Sequence, residues 1–143
     1  MSTAGVPERY WHCEPEKVQH YAAVCAYAKR VGTYAAQGEG LLLAGPKGTG
    51  KSRTLGYIAR LAFGWAKVTP TPRTGCPMDL NLRFVRMGLY HEQLRANERD
   101  WIGDVQRCYI LLLDDIGAIY EHEWVSSAIA ELVEARYSAM LPT

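Results

Sequence analysis

Gly40-Leu41-Leu42-Leu43-Ala44-Gly45-Pro46-Lys47-Gly48-Thr49-Gly50-Lys51-Ser52 is the stretch that decides the fold. Leu41 to Ala44 is a short, unbroken apolar run between glycines, which predicts a strand covered on both faces. Gly45 to Gly50 is too rich in glycine to be regular and reads as a loop. From Lys51 to about Phe63, the residues Leu55, Ile58, Ala59, Ala62 and Phe63 recur at three and four positions, which predicts an amphipathic helix packed on a sheet. The segment Gly45 to Ser52 satisfies GxxxxGK[ST], and the strand before it and helix after it are the context that the pattern requires.

The residue types of this loop fit one chemistry. Glycines let successive backbone N–H groups turn inward around anionic oxygens, in conformations that a side chain obstructs. The helix that starts at Lys51 aims the positive end of its dipole at the same place. Lys51 supplies a point charge to β- and γ-phosphates, and the Ser52 hydroxyl is placed to ligate Mg²⁺. Gly45, Pro46, Lys47, Gly48, Thr49 and Gly50 form the cradle. Arg53 either touches phosphate or faces solvent from the first helical turn. Tyr10 either stacks on a base or serves packing. A glycine-rich turn without a ligand is the plainer alternative, and the flanking strand and helix count against it.

Downstream, Tyr109-Ile110-Leu111-Leu112-Leu113 is the clearest strand in the chain and ends in Asp114-Asp115. Acids at that edge stand where open α/β sheets place their ligands. Asp114 is the candidate for the Mg²⁺ shell, and Asp115 for orienting or deprotonating an attacking water. Alone, two acids after a buried strand also describe a capped turn.

Other elements are placed around these two. Val6 to Trp11 is a proline-punctuated extended lead-in. A helix is expected from Pro15 to about Ala36, with Val18, Tyr21, Ala22, Cys25, Ala28 and Ala35 at helical spacing and Gly38-Glu39-Gly40 as its stop. Ala66 to Asp79 holds three prolines and a glycine and reads as loop. Leu82 to Met87 predicts a second strand, Leu89, Tyr90 and Leu94 a helix, and Trp101, Ile102 and Val105 a short further helix. From Glu123, the residues Trp124, Ala128, Ile129, Leu132, Val133 and Tyr137 predict a last helix. Strands alternating with helices imply an α/β fold with a mainly parallel sheet.

The chain has 143 residues, 48% of them hydrophobic and 22% charged, with a formal net charge of +1. That composition fits one globular domain over 1–143, with 1–37 an extended segment and helix, and gives no overall field toward nucleic acid or membrane. The charge is uneven: Lys51 to Arg107 holds ten basic and five acidic residues, and Cys108 onward holds one arginine and six acids. A basic and an acidic face would follow, and solvated helix surfaces explain the same pattern. Arg83 and Arg86 either meet DNA phosphates or lie on such a surface. His12, His20, His91 and His122 form no cluster. Cys13, Cys25, Cys76 and Cys108 lack metal-ligand spacing and read as thiols in a reducing cytoplasm. No apolar run approaches the ~20 residues of a membrane span, and the start lacks a secretory leader, so a cytoplasmic location without membrane contact is expected.

With both motifs placed, the chain resembles the AAA+ ATPases of the DnaC/IstB group, replicative helicase loaders and transposition helper ATPases. The resemblance rests on Val6-Pro7-Glu8-Arg9-Tyr10, the Gly40 to Ser52 stretch, Leu111-Leu112-Leu113-Asp114-Asp115-Ile116-Gly117, Glu123-Trp124, Ala135-Arg136-Tyr137 and Leu141-Pro142-Thr143. It implies a P-loop NTPase three-layer sandwich with sheet order 5-1-4-3-2. It also implies ATP and Mg²⁺ as cofactors, Lys51 and Ser52 on phosphate and metal, Asp114 in the metal site, Asp115 activating water, and Tyr10 near adenine. Implied partners are a replicative helicase or transposase, single- or double-stranded DNA, and further copies of the full-length chain. The family's strand after the LPT turn, its polar sensor and its intersubunit arginine have no counterpart here. The expectation is therefore a partial AAA+ domain, truncated at its C-terminal strands, with the missing fourth strand belonging between Leu41–Ala44 and Tyr109–Leu113.

Three functions follow as expectations. The first is ATP hydrolysis serving helicase loading or transposition. A second is a nucleotide-gated helicase-binding module with little turnover. The third is a P-loop small-molecule kinase, against which the second acid, Asp115, argues.

Overall fold

Two apolar runs pair to make the sheet. Strand β1 (Leu82–Arg86) lies parallel to strand β2 (Ile110–Asp114), with Leu82 opposite Ile110 and Arg86 opposite Asp114. Because successive side chains of a strand point to opposite faces, Leu82, Phe84, Ile110 and Leu112 join one apolar cluster with Val24, Val31, Ile58 and Ala62. Val85, Leu111 and Leu113 join a second with Met87, Tyr90, Val105 and Leu132. Every residue of β2 is buried, which is why its sequence reads as a continuous apolar run and does not alternate.

The computed structural model describes residues 5–12, 21–66, 82–119 and 123–143. Among them, the fold is α/β with a two-stranded parallel sheet. The helices α1 (Tyr21–Lys29), α2 (Val31–Gln37) and α3 (Lys51–Ala66) lie on the Phe84 side. The helices α4 (Met87–Arg95), α5 (Arg99–Arg107) and α6 (Glu123–Ser138) lie on the Leu111 side. Short 3-10 turns cover Glu8–Tyr10 and Ile116–Ile119. The start of the first helix at Pro15 and Val18, the loop beyond Ala66, the side chain of Trp124, and Cys13, Cys76, His20 and His122 fall outside the described residues.

Two expectations need correction. The single helix to Ala36 is two, separated at Arg30, whose N–H bonds to Tyr27 O at 2.9 Å, three residues back. That switch from the i−4 pattern tightens the turn. No proline or glycine marks the break at Arg30 itself. The stop at Gly38 is as expected: its φ is +73°, and Glu39 N–H closes the helix on Tyr34 O at 2.9 Å.

The second correction concerns Leu41–Ala44, which forms no strand. A strand needs a ladder, and β1 occupies one edge of β2 while Pro142 and Thr143 touch only the start of the other. Leu111 N–H donates to Pro142 O and Leu41 N–H to Thr143 O, each at 3.3 Å. The run therefore lies beside the sheet, separated from β2 by the last two residues. No described helix is long and apolar enough to cross a membrane.

Candidate functional site

The loop's conformation follows from its glycines. Gly48 and Gly50 have φ of +81° and +83°, and a Cβ at either would meet nothing within 4 Å. Backbone angle, not lack of room, is what demands glycine there. Thr49 Oγ1 donates to Pro46 O at 2.9 Å and braces the loop from inside. At the start of α3, the buried Thr54 donates its hydroxyl to Gly50 O at 3.1 Å and its N–H to the same oxygen at 2.9 Å.

Lys51 folds over the loop it belongs to. Its Nζ donates to Gly45 O at 2.8 Å, to Pro46 O at 2.7 Å and to Thr49 Oγ1 at 3.5 Å. These acceptors are neutral oxygens, so an anion entering the loop would offer the ammonium stronger, charge-assisted bonds.

Ser52 and Asp114 meet although 62 residues apart: Ser52 Oγ donates to Asp114 Oδ1 at 2.8 Å. Asp114 is 5% exposed at the end of β2. The parallel sheet and α3 together deliver it to the first turn of the helix after the loop. Asp115, next in the chain, has φ of +59°. Aspartate tolerates this left-handed conformation better than most residues, and the reversal puts consecutive carboxylates in different surroundings: Asp114 buried, Asp115 exposed.

Two recesses flank the loop. One, of about 420 Å³, is lined by Tyr10, Lys47, Gly48, Gly50, Lys51, Ser52, Arg53 and Asp115. The other, of about 290 Å³, is lined by Gly45, Pro46, Thr49, Lys51 and Thr54 with Val24 and Leu42 to Ala44. Between them these recesses and the Ser52–Asp114 bond gather every residue singled out from the sequence for nucleotide and metal, but not Arg83 or Arg86.

Tyr10 is packed as well as placed. A Cβ on Gly56 of α3 would overlap Tyr10 Cβ, its ring lies 6.2 Å from that of Phe84, and the Arg9 guanidinium sits 4.7 Å above it. Gly56 is a seat that sequence reading missed; its signal is a glycine inside a helix, normally unfavourable by ~1 kcal/mol. Arg83, considered for DNA, is paired with Asp104 at 3.3 Å. Among the described residues no three His, Cys, Asp or Glu side chains converge as a metal site.

Arg136 is the other missed residue. It is 0% exposed and donates to Pro142 O at 2.6 Å, Thr143 Oγ1 at 2.8 Å, Cys108 O at 2.8 Å, Gln106 O at 3.1 Å and Val105 O at 3.2 Å. Burial lowers its affinity for the proton, and five acceptors offset that cost. Burial also pushes the Cys108 thiol up, against the opposing pull of Arg136. The family models, the curated proteins and the solved structures compared with this chain contain no match to it.

Proposed function

We propose that the chain binds ATP with Mg²⁺ on the loop Gly45–Ser52 and hydrolyses it, as a DnaC/IstB-like AAA+ module of P-loop three-layer architecture serving helicase loading or transposition. The observation that carries this reading is the 2.8 Å bond between Ser52 Oγ and Asp114 Oδ1. It brings together, beside a glycine loop at a helix start, two oxygen ligands suited to a hard cation that normally shares its shell with substrate phosphates. Ser52 and Asp114 would hold Mg²⁺, which when bound neutralises charge on the phosphate oxygens. Lys51 exchanges its loop carbonyls for phosphate oxygens. Asp115, exposed on the rim, takes a proton from the water that attacks the γ-phosphorus as the bond to the bridging oxygen breaks. Tyr10, beside the loop, borders the nucleotide.

The location this implies is cytoplasmic. The partners would be a replicative helicase or transposase, DNA, and further copies of the chain. Release of phosphate from ATP, with Mg²⁺ and with or without single-stranded DNA, tests the reading. Turnover that Lys51→Ala reduces at least ~100-fold is expected. Absence of both turnover and Lys51-dependent ATP binding would overturn it.

One observation favours the second reading, nucleotide-gated capture of a helicase with little turnover. Leu41–Ala44, which leads directly into the loop, is outside the sheet, so the start of the cradle lacks the rigid support that fast chemistry needs. ATP-dependent capture of a helicase with slow phosphate release would select it.

A further inference from the structure

Two arginines of β1 are used differently. Arg83 is held by Asp104, whereas Arg86, at the end of the strand, is exposed and has no carboxylate partner among the described residues. Arg9, in the 3-10 turn of the lead-in, is likewise exposed and without a carboxylate partner among them; its guanidinium rests over the Tyr10 ring. Arg9 and Arg86, far apart in the chain, line one recess of about 490 Å³, with Pro7, Glu8, Phe84 and Leu89 also lining it. None of Gly45–Ser52 belongs to this recess. Tyr10 is the partition: it lines the recess at the loop, while its neighbours Arg9 and Phe84 line this one.

The lining selects a class of ligand. It carries two cations and one acid, Glu8, so a net positive charge sits in a concave surface, where low-dielectric walls focus its field. The start of α4 beside it has no acid in its first turn and adds to that field. One guanidinium fork takes up both oxygens of a carboxylate, whereas a terminal phosphate offers three oxygens, enough for two arginines arriving from different elements. A phosphodiester has only two free oxygens and belongs to a strand that must run on past the recess in both directions. Phe84 and Leu89, the latter 37% exposed, give an apolar floor for the body of the ligand, and Glu8 accepts from a hydroxyl or amino group on it. The volume is that of a small-molecule site.

We propose that the recess between Arg9 and Arg86 is a second anion site, which takes the terminal phosphate of a small phosphate monoester, and that its occupation weakens nucleotide binding at the loop. Arg9 gives up the Tyr10 ring when it turns to the phosphate, and Tyr10 borders the nucleotide. Arg86 stands opposite Asp114 in the ladder, so the two sites share one sheet edge and their anions repel each other. Both effects oppose joint binding, and each ligand lowers the affinity of the other by the same factor. This coupling rests on reading the loop as a phosphate site; the recess does not.

The test uses phenyl phosphate, a monoester with an apolar body, titrated into the whole chain while amide NMR shifts of Glu8, Arg9, Arg86, Gly88 and Leu89 are followed. Saturable shifts are expected. Arg9→Gln and Arg86→Gln should each weaken them at least ~10-fold, with Tm within ~3 °C of the parent because both side chains are exposed. Lys51→Ala should leave this affinity within ~2-fold, and benzoate should bind at least ~10-fold more weakly than phenyl phosphate. Absence of saturable shifts, or equal binding by the Arg9→Gln/Arg86→Gln double variant, overturns the site. Equal affinity for benzoate overturns its assignment to phosphate. Oligothymidylate without terminal phosphates, if it displaces phenyl phosphate at a lower concentration of phosphate groups, gives the recess to nucleic acid and overturns the monoester. For the coupling, saturating phenyl phosphate is expected to lower Mg²⁺–ATP affinity at least ~5-fold in the parent chain and not in the double variant. A loss undiminished in the double variant is competition at the loop and overturns the coupling alone, as does unchanged ATP affinity while Lys51→Ala still lowers it. Phenyl phosphate binding at these amides with no ATP binding in any form supports the recess and sinks the phosphate-site reading of the loop.

Discussion

The two ends of β2 carry opposite kinds of polar site. At the C-terminal end, the buried Asp114 accepts one bond from Ser52, and Lys51 leans on carbonyls of its own loop. Partners there are few, neutral and replaceable. At the other end, Arg136 is fully enclosed and reaches five oxygens spread over α5, the lead-in to β2 and the last two residues. None of its geometry is spare. A charged group with replaceable partners is suited to taking a ligand, while one whose donors are all engaged is suited to holding chain segments together.

The largest expected effect breaks the closed end. Arg136→Met keeps much of the apolar stem but leaves five acceptors without their donor, three of them in buried bonds, at a cost of about 3–5 kcal/mol. Urea unfolding should show it as a lowered midpoint. A loss under about 1 kcal/mol would mean that water replaces the guanidinium, and the contrast between the two ends would fail.

The open end should behave in the opposite way. Lys51→Ala is expected to change stability by under about 0.5 kcal/mol, because its bonds are exposed and local. It should nevertheless lower ATP affinity by about 100-fold, roughly 2.7 kcal/mol. Asp114→Asn sharpens the comparison further: it keeps an acceptor for Ser52 and removes the charge. Most of its effect should therefore appear as lost Mg²⁺ dependence in titrations of ATP with and without the metal, by about 10-fold. Equal losses with and without Mg²⁺ would take Asp114 out of the proposed metal site.

These two ends were unequally legible. The open end is local in sequence: eight consecutive residues dictate a loop, and the apolar run before Asp114 dictates a strand that brings its carboxylate to an edge. Only the Ser52–Asp114 distance had to come from the fold. The closed end is written in long-range contacts, since nothing around Arg136 distinguishes an arginine that reaches back to Val105 from one that faces water. Leu41–Ala44 misled for a related reason. Its composition is that of a buried strand, but strand formation requires a neighbour, and composition does not say whether one is there. The break at Arg30 escaped because no proline or glycine stands there.

A smaller effect tests how the lead-in segment is tied to the open end. Gly56→Ala puts a methyl group where Tyr10 Cβ now lies. Overpacking costs about 1–3 kcal/mol, and the better helix propensity of alanine returns about 1. The net loss should be about 1 kcal/mol, with Tyr10 displaced from the recess it shares with Ser52 and Asp115. Near-ultraviolet circular dichroism and ATP affinity would register that displacement. If Tyr10→Ala leaves ATP affinity unchanged, Tyr10 serves packing alone.

The smallest effect belongs to the closed end and appears only in alkali. Burial holds the Cys108 thiol above its ordinary value of 9.0, with Arg136 pulling the other way. The folded chain therefore keeps this proton more tightly than the unfolded chain does. The associated stability is fully present below pH 9.0 and is lost as pH rises through the raised folded value. Tyr27 and Tyr90, both raised by burial, extend the same trend above their ordinary value of 10.0. Cys108→Ala removes one contribution and leaves the others, so the variant's stability should fall less steeply above that point, by up to about 1 kcal/mol per pH unit. Parallel curves for the two proteins in urea titrations across this range would show that the Arg136 guanidinium stabilises a thiolate in place. The closed end would then tolerate a change of charge that its geometry argues against.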